Sequence, residues 1–198
     1  MSGAGEGAAT AGAPRRFLAL GVPAAERRAI AAATAHLRGE DGTLRPTSPE
    51  GWHITLAYLG AVDEAAAGLA VTVLDRCLVD EAPRPAPRLA VTGAGRFGDR
   101  VLLLELGDDP RGALAGFVTA LHARLRDVGF DLPGRGFRAH LTLARARGRH
   151  RVRVADVDAI DVPRVRWRPQ AVGLWSSAPT GQPGSYVVES ELAWPPAR

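Results

Sequence analysis

The sequence contains no lysine and no asparagine, and all 25 of its basic residues are arginine. Arginine bias of this kind is typical of a high-GC genome, so the arginines alone are weak evidence for a nucleic-acid partner. The net charge of +4 and the isoelectric point near 10.4 still favour an anionic partner over a cationic one.

Cysteine and long apolar runs are also scarce. Cys77 is the only cysteine, which excludes a disulfide within the chain, a zinc finger and an iron–sulfur cluster. No apolar run reaches the roughly 18 residues of a membrane helix. Residues 1–14 lack the basic and apolar regions of a signal peptide and are interpreted as a disordered tail. We therefore expect a cytoplasmic protein that does not bind a membrane.

The remaining chain is long enough for one domain, or for two small lobes that share one site. The positions of glycine and proline and the spacing of apolar residues predict strands and helices in mixed order, which favours an α+β fold. The strands are predicted at 17–20, 52–59, 89–91, 101–106, 137–144, 165–176 and 185–193, with a hairpin turn at 93–98. The helices are predicted at 23–37, 63–79 (capped by Asp63) and 112–128. Residues 154–163 form a short helix or a loop, residues 39–51 a loop, and the proline-rich residues 81–88 a link between lobes.

One short repeat lies in two of the predicted strands. Residues 53–57 are His-Ile-Thr-Leu-Ala, and residues 140–144 are His-Leu-Thr-Leu-Ala. Side chains alternate between the two faces of a strand. This places His53 with Thr55, and His140 with Thr142, on polar faces.

The same alternation sorts the residues that flank the repeat. Arg138 is predicted to share the polar face with His140, and Arg145 to lie on the opposite face. Trp52 and Tyr58 are predicted to lie in the core. His122, in a predicted helix, is interpreted as an ordinary structural residue.

If the two strands come together, their two histidines flank one cleft and suit acid–base chemistry at a phosphorus centre. A lone histidine on a strand is most often structural, but a repeated polar face favours a function. One imidazole can remove a proton while the other supplies one, and the threonine hydroxyls can donate to phosphoryl oxygens. Such a site needs no metal or cofactor. A metal site is less favoured, because each strand offers one strong ligand. A serine hydrolase is also less favoured, because the sequence has no G-x-S-x-G motif.

The paired motifs resemble those of the 2H phosphoesterase superfamily, and especially the RNA 2′,3′-cyclic phosphodiesterases that are also called 2′-5′ RNA ligases. The resemblance runs from about residue 16 to 194. The segments that carry it are residues 16–20 (Arg-Phe-Leu-Ala-Leu), 52–60, 137–145 and 172–177, together with Tyr186.

The resemblance implies a bilobal α+β fold of two facing antiparallel sheets, with pseudo-two-fold symmetry and outer helices, over residues 15–196. It implies that a 2′,3′-cyclic phosphate at an RNA 3′ end, or on a nucleotide, is opened to a 2′-phosphomonoester. It also implies that His53 is the proton donor and His140 the proton acceptor. The residues alone do not show which histidine has which role.

Two arginines complete the predicted substrate site. Arg138 can contact a phosphate bidentately from the face of His140. Arg45, in the loop before the first motif, can bind the next phosphate of an RNA. The sequence indicates no protein partner, and we expect a monomer. A 2′-5′ oligonucleotide or a small cyclic nucleotide as substrate, a ligase reaction, and non-catalytic binding of RNA ends remain alternatives.

Overall fold

The computed structural model describes residues 14–38, 42–134, 136–177 and 186–196. In chain order its elements are β1 (Arg15–Gly21), α1 (Ala24–Ala33), β2 (Leu44–Pro46), β3 (His53–Ala61), α2 (Glu64–Glu81), β4 (Arg88–Phe97), β5 (Val101–Asp109), α3 (Ala113–Asp127), β6 (His140–Ala146), α4 (Val154–Asp158), β7 (Arg166–Trp167), β8 (Ala171–Ser177) and β9 (Tyr186–Ala193). Short 3-10 turns follow α1 and precede β3. Apart from Pro14, the tail predicted over residues 1–14 lies outside the described residues, as do residues 178–185 between the last two strands.

The described strands form two antiparallel sheets, as predicted. The first sheet has the order β3-β1-β8-β9, and the second has the order β2-β6-β5-β4-β7. Each sheet therefore carries one of the two histidine strands, β3 in the first and β6 in the second. The bilobal α+β arrangement that the resemblance implies is confirmed.

One apolar core runs between the sheets and under the helices. Leu18 and Ile54 from the first sheet belong to the same buried cluster as Leu104 and Leu141 from the second. Phe117, on the buried side of α3, also belongs to it. Burial of such side chains is the main stabilising term in a domain of this size. Because this core fixes the inner faces of β3 and β6, it also fixes where their polar faces point.

The helix boundaries follow local capping chemistry. The Asp63 carboxylate accepts the backbone N–H of Ala66 at 2.8 Å, which confirms the predicted cap of α2. Gly129, at φ 98°, ends α3 in a conformation that favours glycine. None of the helices in the described ranges is both long and apolar enough to cross a membrane.

Three predicted segments differ in the structure. The strand predicted over 165–176 is two strands, β7 and β8, in different sheets, and Pro169 between them has no N–H for a ladder. The glycine-rich stretch predicted as a turn is instead the end of β4, and the turn itself is confined to residues 98–100. The loop predicted over 39–51 contains β2, which pairs with β6.

Candidate active site

The two repeated histidines are held in the same way. Nδ1 of His53 lies 2.7 Å from the carbonyl oxygen of Gly51, and Nδ1 of His140 lies 2.8 Å from that of Arg138. A carbonyl can only accept, so Nδ1 of each ring carries a proton and donates it. In the neutral ring Nε2 is then the basic nitrogen. The matching bonds, each to the carbonyl two residues earlier, extend the repeat from sequence to geometry.

Both repeats line one small cleft between the sheets. The cleft encloses about 80 Å³, a volume that suits a phosphate group rather than a whole nucleotide, and its lining comprises His53, Thr55, His140, Thr142, Arg145, Thr47, Gly51, Trp52 and Tyr186. The structure thus brings together the four predicted residues of the repeat. Thr47, Arg145 and Tyr186 were not predicted to belong to this site.

Arg145 reaches the cleft because β6 contains a bulge, so its predicted position on the opposite face is wrong. Leu102 pairs with Ala144 and Leu103 with Thr142, which leaves Leu143 as an extra residue. An extra residue reverses the alternation beyond it. Leu143 and Ala144 are consequently both buried, and Arg145 points to the side of His140.

The first motif strand has the same bulge, and it corrects the prediction for Tyr58. Leu18 pairs with Ala57 and Ala19 with Thr55, so Leu56 is the extra residue in β3. Tyr58 is therefore 50% exposed rather than buried in the core. Trp52 lies before the bulge and is buried, as predicted.

Aromatic rings enclose His53. The imidazole stacks on Phe17 with ring centroids 4.6 Å apart, and Tyr186 meets it edge-on at 4.7 Å. The pKa of His53 is lowered to about 4, mainly by burial and in smaller part by the positive charges of His140 and Arg145, while the hydrogen bond to Gly51 opposes the shift. At neutral pH the imidazole of His53 is uncharged.

A charged pair lies beside His140. Phe97 meets the His140 ring edge-on at 4.6 Å, and the Arg138 guanidinium lies over the Phe97 ring at 5.4 Å. Arg138 also forms a salt bridge with Glu105, the residue paired with His140 across the sheet. Arg138 thus lies beside His140, but at the rim of a neighbouring groove rather than in the cleft.

The other predicted arginine, Arg45, lies in β2 directly opposite Arg145. Residues opposite each other in an antiparallel pair point to the same face of the sheet. Arg45 therefore lies on the sheet face from which Arg145 enters the cleft, although it is not part of the cleft lining.

A larger groove opens from the cleft at Thr55 and His140. It encloses about 560 Å³, within the range of nucleotide-sized sites, and its remaining lining comprises Leu56, Tyr58, Phe97, His122, Pro133, Gly136, Phe137 and Arg138. Nε2 of His122 lies 2.7 Å from the carbonyl oxygen of the bulge residue Leu56. The predicted structural role of His122 fits this bond.

Nowhere in the ranges that the structure covers do three histidine, cysteine or acidic side chains come together in a way that would hold a metal ion.

Several solved structures of other proteins are similar to this one. No curated protein matches the chain in sequence. Among solved structures, TT0787 of Thermus thermophilus has a TM-score of 0.69 and 23% identity over 91% of this chain and 97% of that one. Escherichia coli LigT complexed with 3′-AMP has a TM-score of 0.69 and 23% identity over 91% of this chain and 98% of that one. The ns2 PDE domain of MHV has a TM-score of 0.58 and 11% identity over 82% of this chain and 99% of that one. These likenesses show the fold.

The family itself is shown by sequence. The profile of the 2′-5′ RNA ligase superfamily matches residues 23–180, a segment that contains both histidine motifs and most of the chain. The resemblance to 2H phosphoesterases is thereby confirmed, and the chain belongs to the 2′-5′ RNA ligase superfamily.

Proposed function

We propose that the protein hydrolyses 2′,3′-cyclic phosphates at RNA 3′ ends to 2′-phosphomonoesters, without a metal or cofactor. The observation that carries the proposal is the phosphate-sized cleft into which both sheets send one histidine and one threonine. Arg145 adds a fixed positive charge to the same cleft. These are the groups that a reaction at an anionic phosphorus centre requires.

The proposed step needs one proton removed and one supplied. Nε2 of His140 takes a proton from water as the water oxygen bonds to phosphorus. The bond from phosphorus to O3′ breaks, and His53 gives its proton to O3′. Thr55, Thr142 and Arg145 bind the non-bridging oxygens, whose negative charge grows in the transition state. The product carries a 2′-phosphate and a free 3′-hydroxyl.

The donor role of His53 depends on the substrate. Because its pKa is about 4, His53 binds a proton poorly at neutral pH before substrate binds. A bound phosphate anion favours the charged imidazole and raises that pKa. Binding of the substrate would thus charge His53 at the point where a proton is needed.

The groove beside the cleft suits the nucleoside of the substrate. Tyr58, Phe97 and Phe137 offer aromatic surface for a base. Arg138, at its rim, and Arg45, next to Arg145, are the proposed contacts for further phosphates. LigT, which shares the fold, has been crystallised with 3′-AMP, with phosphate and with ATP. Nucleotide ligands in a relative of this fold support a nucleotide-bearing substrate here.

The test is incubation of the pure protein with an oligoribonucleotide that ends in a 2′,3′-cyclic phosphate, in the presence of EDTA. We expect a 2′-phosphate product, and a fall in kcat of about 10²–10⁴ in His53→Ala and in His140→Ala. Parallel reactions contain a 2′-5′ oligonucleotide, ADP-ribose cyclic phosphate, and a pair of RNA ends suitable for ligation. Activity on one of these alone would replace the proposed substrate. Binding of the RNA end without turnover would show a non-catalytic protein, and a requirement for zinc or magnesium would overturn metal independence.

A second substrate in the same experiment assigns the two roles. A phosphodiester with a nitrophenolate leaving group needs little help from an acid, because nitrophenolate leaves without a proton. This substrate should restore much more activity to His53→Ala than to His140→Ala. The opposite pattern would make His53 the base.

A further inference from the structure

The hydroxyl of Thr47 connects the two histidine strands. Thr47 follows β2, and its single hydroxyl proton is shared between the carbonyl oxygens of Thr142 and Leu143, which lie 2.8 and 2.9 Å from Oγ1. The same Oγ1 accepts the indole N–H of Trp52 at 2.8 Å. Trp52 immediately precedes His53, so one side chain joins the start of β3 to the middle of β6. We call this set of bonds the Thr47 link.

The Thr47 link also closes the turn that holds His53. Residues 49–51 form a 3-10 turn, in which the N–H of Gly51 donates to Ser48 and that of Trp52 to Pro49. The carbonyl of Gly51 is the acceptor for Nδ1 of His53. The turn is thus fixed at Thr47 on one side and at His53 on the other.

In the second sheet, the Thr47 link is attached at the bulge of β6. The carbonyl of Leu143, the extra residue, accepts both the backbone N–H and the hydroxyl of Thr47. This bulge is what turns Arg145 into the cleft. Trp52 is only 4% exposed, so without the hydroxyl its indole N–H would lose its partner inside the protein, which is destabilising.

We propose that Thr47 is a positioning residue that sets the spacing of the two histidine strands around a single phosphate. The proposal rests on the proposed function, because it assumes that one phosphate contacts both strands. Thr47 lines the cleft, but its hydroxyl is already bonded to the carbonyls of Thr142 and Leu143 and to the indole of Trp52. It therefore acts through Trp52, Gly51 and the β6 bulge. Small displacements of catalytic groups have large effects on rate, so loss of the link should lower kcat more than it raises KM.

The first test compares Thr47→Val with Thr47→Ser on the cyclic-phosphate substrate. Valine keeps the shape and removes the hydroxyl, and we expect kcat to fall about 10-fold while KM rises about threefold. Serine restores the hydroxyl and should restore kcat. The matched control is Thr72→Val, on the exposed side of α2, where the hydroxyl bonds only the Gly68 carbonyl. A folded Thr47→Val protein with wild-type kcat would overturn the proposal, as would an equal loss in Thr72→Val.

The second test asks whether Thr47 and Trp52 act as one unit. Trp52→Phe removes the indole N–H and leaves Thr47 in place, so it tests the link even if Thr47→Val does not fold. The double variant T47V/W52F should lose little more kcat than the more impaired single variant, because both changes break the same chain of bonds. Multiplicative losses would show that the two residues act separately.

The third test needs no turnover. In wild-type protein, inorganic phosphate should shift the NMR signals of the His53 and His140 imidazoles with one shared Kd. Thr47→Val should raise that Kd about threefold, while Thr47→Ser and Thr72→Val leave it unchanged. If Thr47→Val weakens phosphate binding as expected but wild-type protein hydrolyses no cyclic phosphate, the proposed function fails and the link stands. If Thr47→Val binds phosphate as wild-type protein does, the link fails.

Discussion

Arg145 brings a fixed positive charge into the cleft that both histidines share. The sequence alone placed it on the opposite face, because strict alternation is the only rule that a strand offers in the absence of structure. The repeated blocks did contain a usable signal, because Tyr58 and Arg145 occupy the same position after their histidines. A position that holds tyrosine in one copy and arginine in the other does not suit a buried core in both. A bulge is the local structure that removes this conflict.

Arg145→Gln tests this charge. We expect kcat/KM to fall about 10–100-fold, because the guanidinium that we propose to bind phosphoryl oxygens is replaced by a neutral amide. The pKa of His53 should rise at the same time, since the charge of Arg145 helps to hold it down. Both effects are measurable, by steady-state kinetics and by NMR titration of the imidazole. Arg76→Gln, on the exposed side of α2, should change neither, and a wild-type rate in Arg145→Gln would remove Arg145 from the site.

At the scale of elements, the two motif strands are related by more than their sequence. β3 and β6 each carry a bulge three residues after the histidine, and in each case a side chain from another segment bonds the carbonyl of the extra residue. His122 of α3 does so for Leu56, and Thr47 does so for Leu143. The side chain that each bulge redirects lies in a different place: Arg145 lines the phosphate cleft, and Tyr58 lines the groove.

Tyr58→Ala tests the groove. If the ring supports a nucleobase, we expect KM for a cyclic-phosphate oligonucleotide to rise about 5–50-fold with little change in kcat, because stacking on an aromatic ring contributes about 1–3 kcal/mol per base. The free energy of unfolding should change by less than about 0.5 kcal/mol, since the side chain is half exposed. Val187→Ala, an exposed apolar residue of β9, is the control. An unchanged KM in Tyr58→Ala would place the base elsewhere.

Local signals predicted the elements that depend on neighbours in sequence. The cap of α2 and the alternation of β3 up to Thr55 are of this kind. The glycine-rich end of β4 is not, because Gly95 faces the partner strand closely: a Cβ on Gly95 would lie 2.7 Å from Oε1 of Glu105. The absence of side chains at this point leaves room for Glu105, which in turn holds Arg138. The need for glycine at this position cannot be predicted until the register of β4 and β5 is known.

At the scale of the whole molecule, the chain passes between the sheets several times. The first sheet contains β1 and β3 from the beginning of the chain and β8 and β9 from its end, and the second contains β2 together with β4 to β7. The link predicted at 81–88 lies on the path from β3, in the first sheet, through α2 to β4, in the second, but it is only one of these crossings. No local sequence rule predicts that β1 pairs with β8, because the two strands are far apart in the chain and their register depends on which faces are buried.

This arrangement buries His53 among side chains from both ends of the chain, and the burial couples folding to pH. Its pKa is about 4 in the folded protein and about 6.5 in the unfolded chain. Between these values the unfolded state binds more protons, so the contribution of His53 to stability is fully present above pH 6.5 and is lost as the pH falls towards 4. From pH 7 to pH 5 we expect wild-type protein to lose about 2 kcal/mol more of its free energy of unfolding than His53→Asn, which cannot titrate. Urea unfolding at the two pH values measures the difference, and the titration of the remaining histidines cancels because both proteins contain them. Equal losses in the two proteins would mean that His53 is not buried in its neutral form, and the donor role would then not depend on the substrate to charge it.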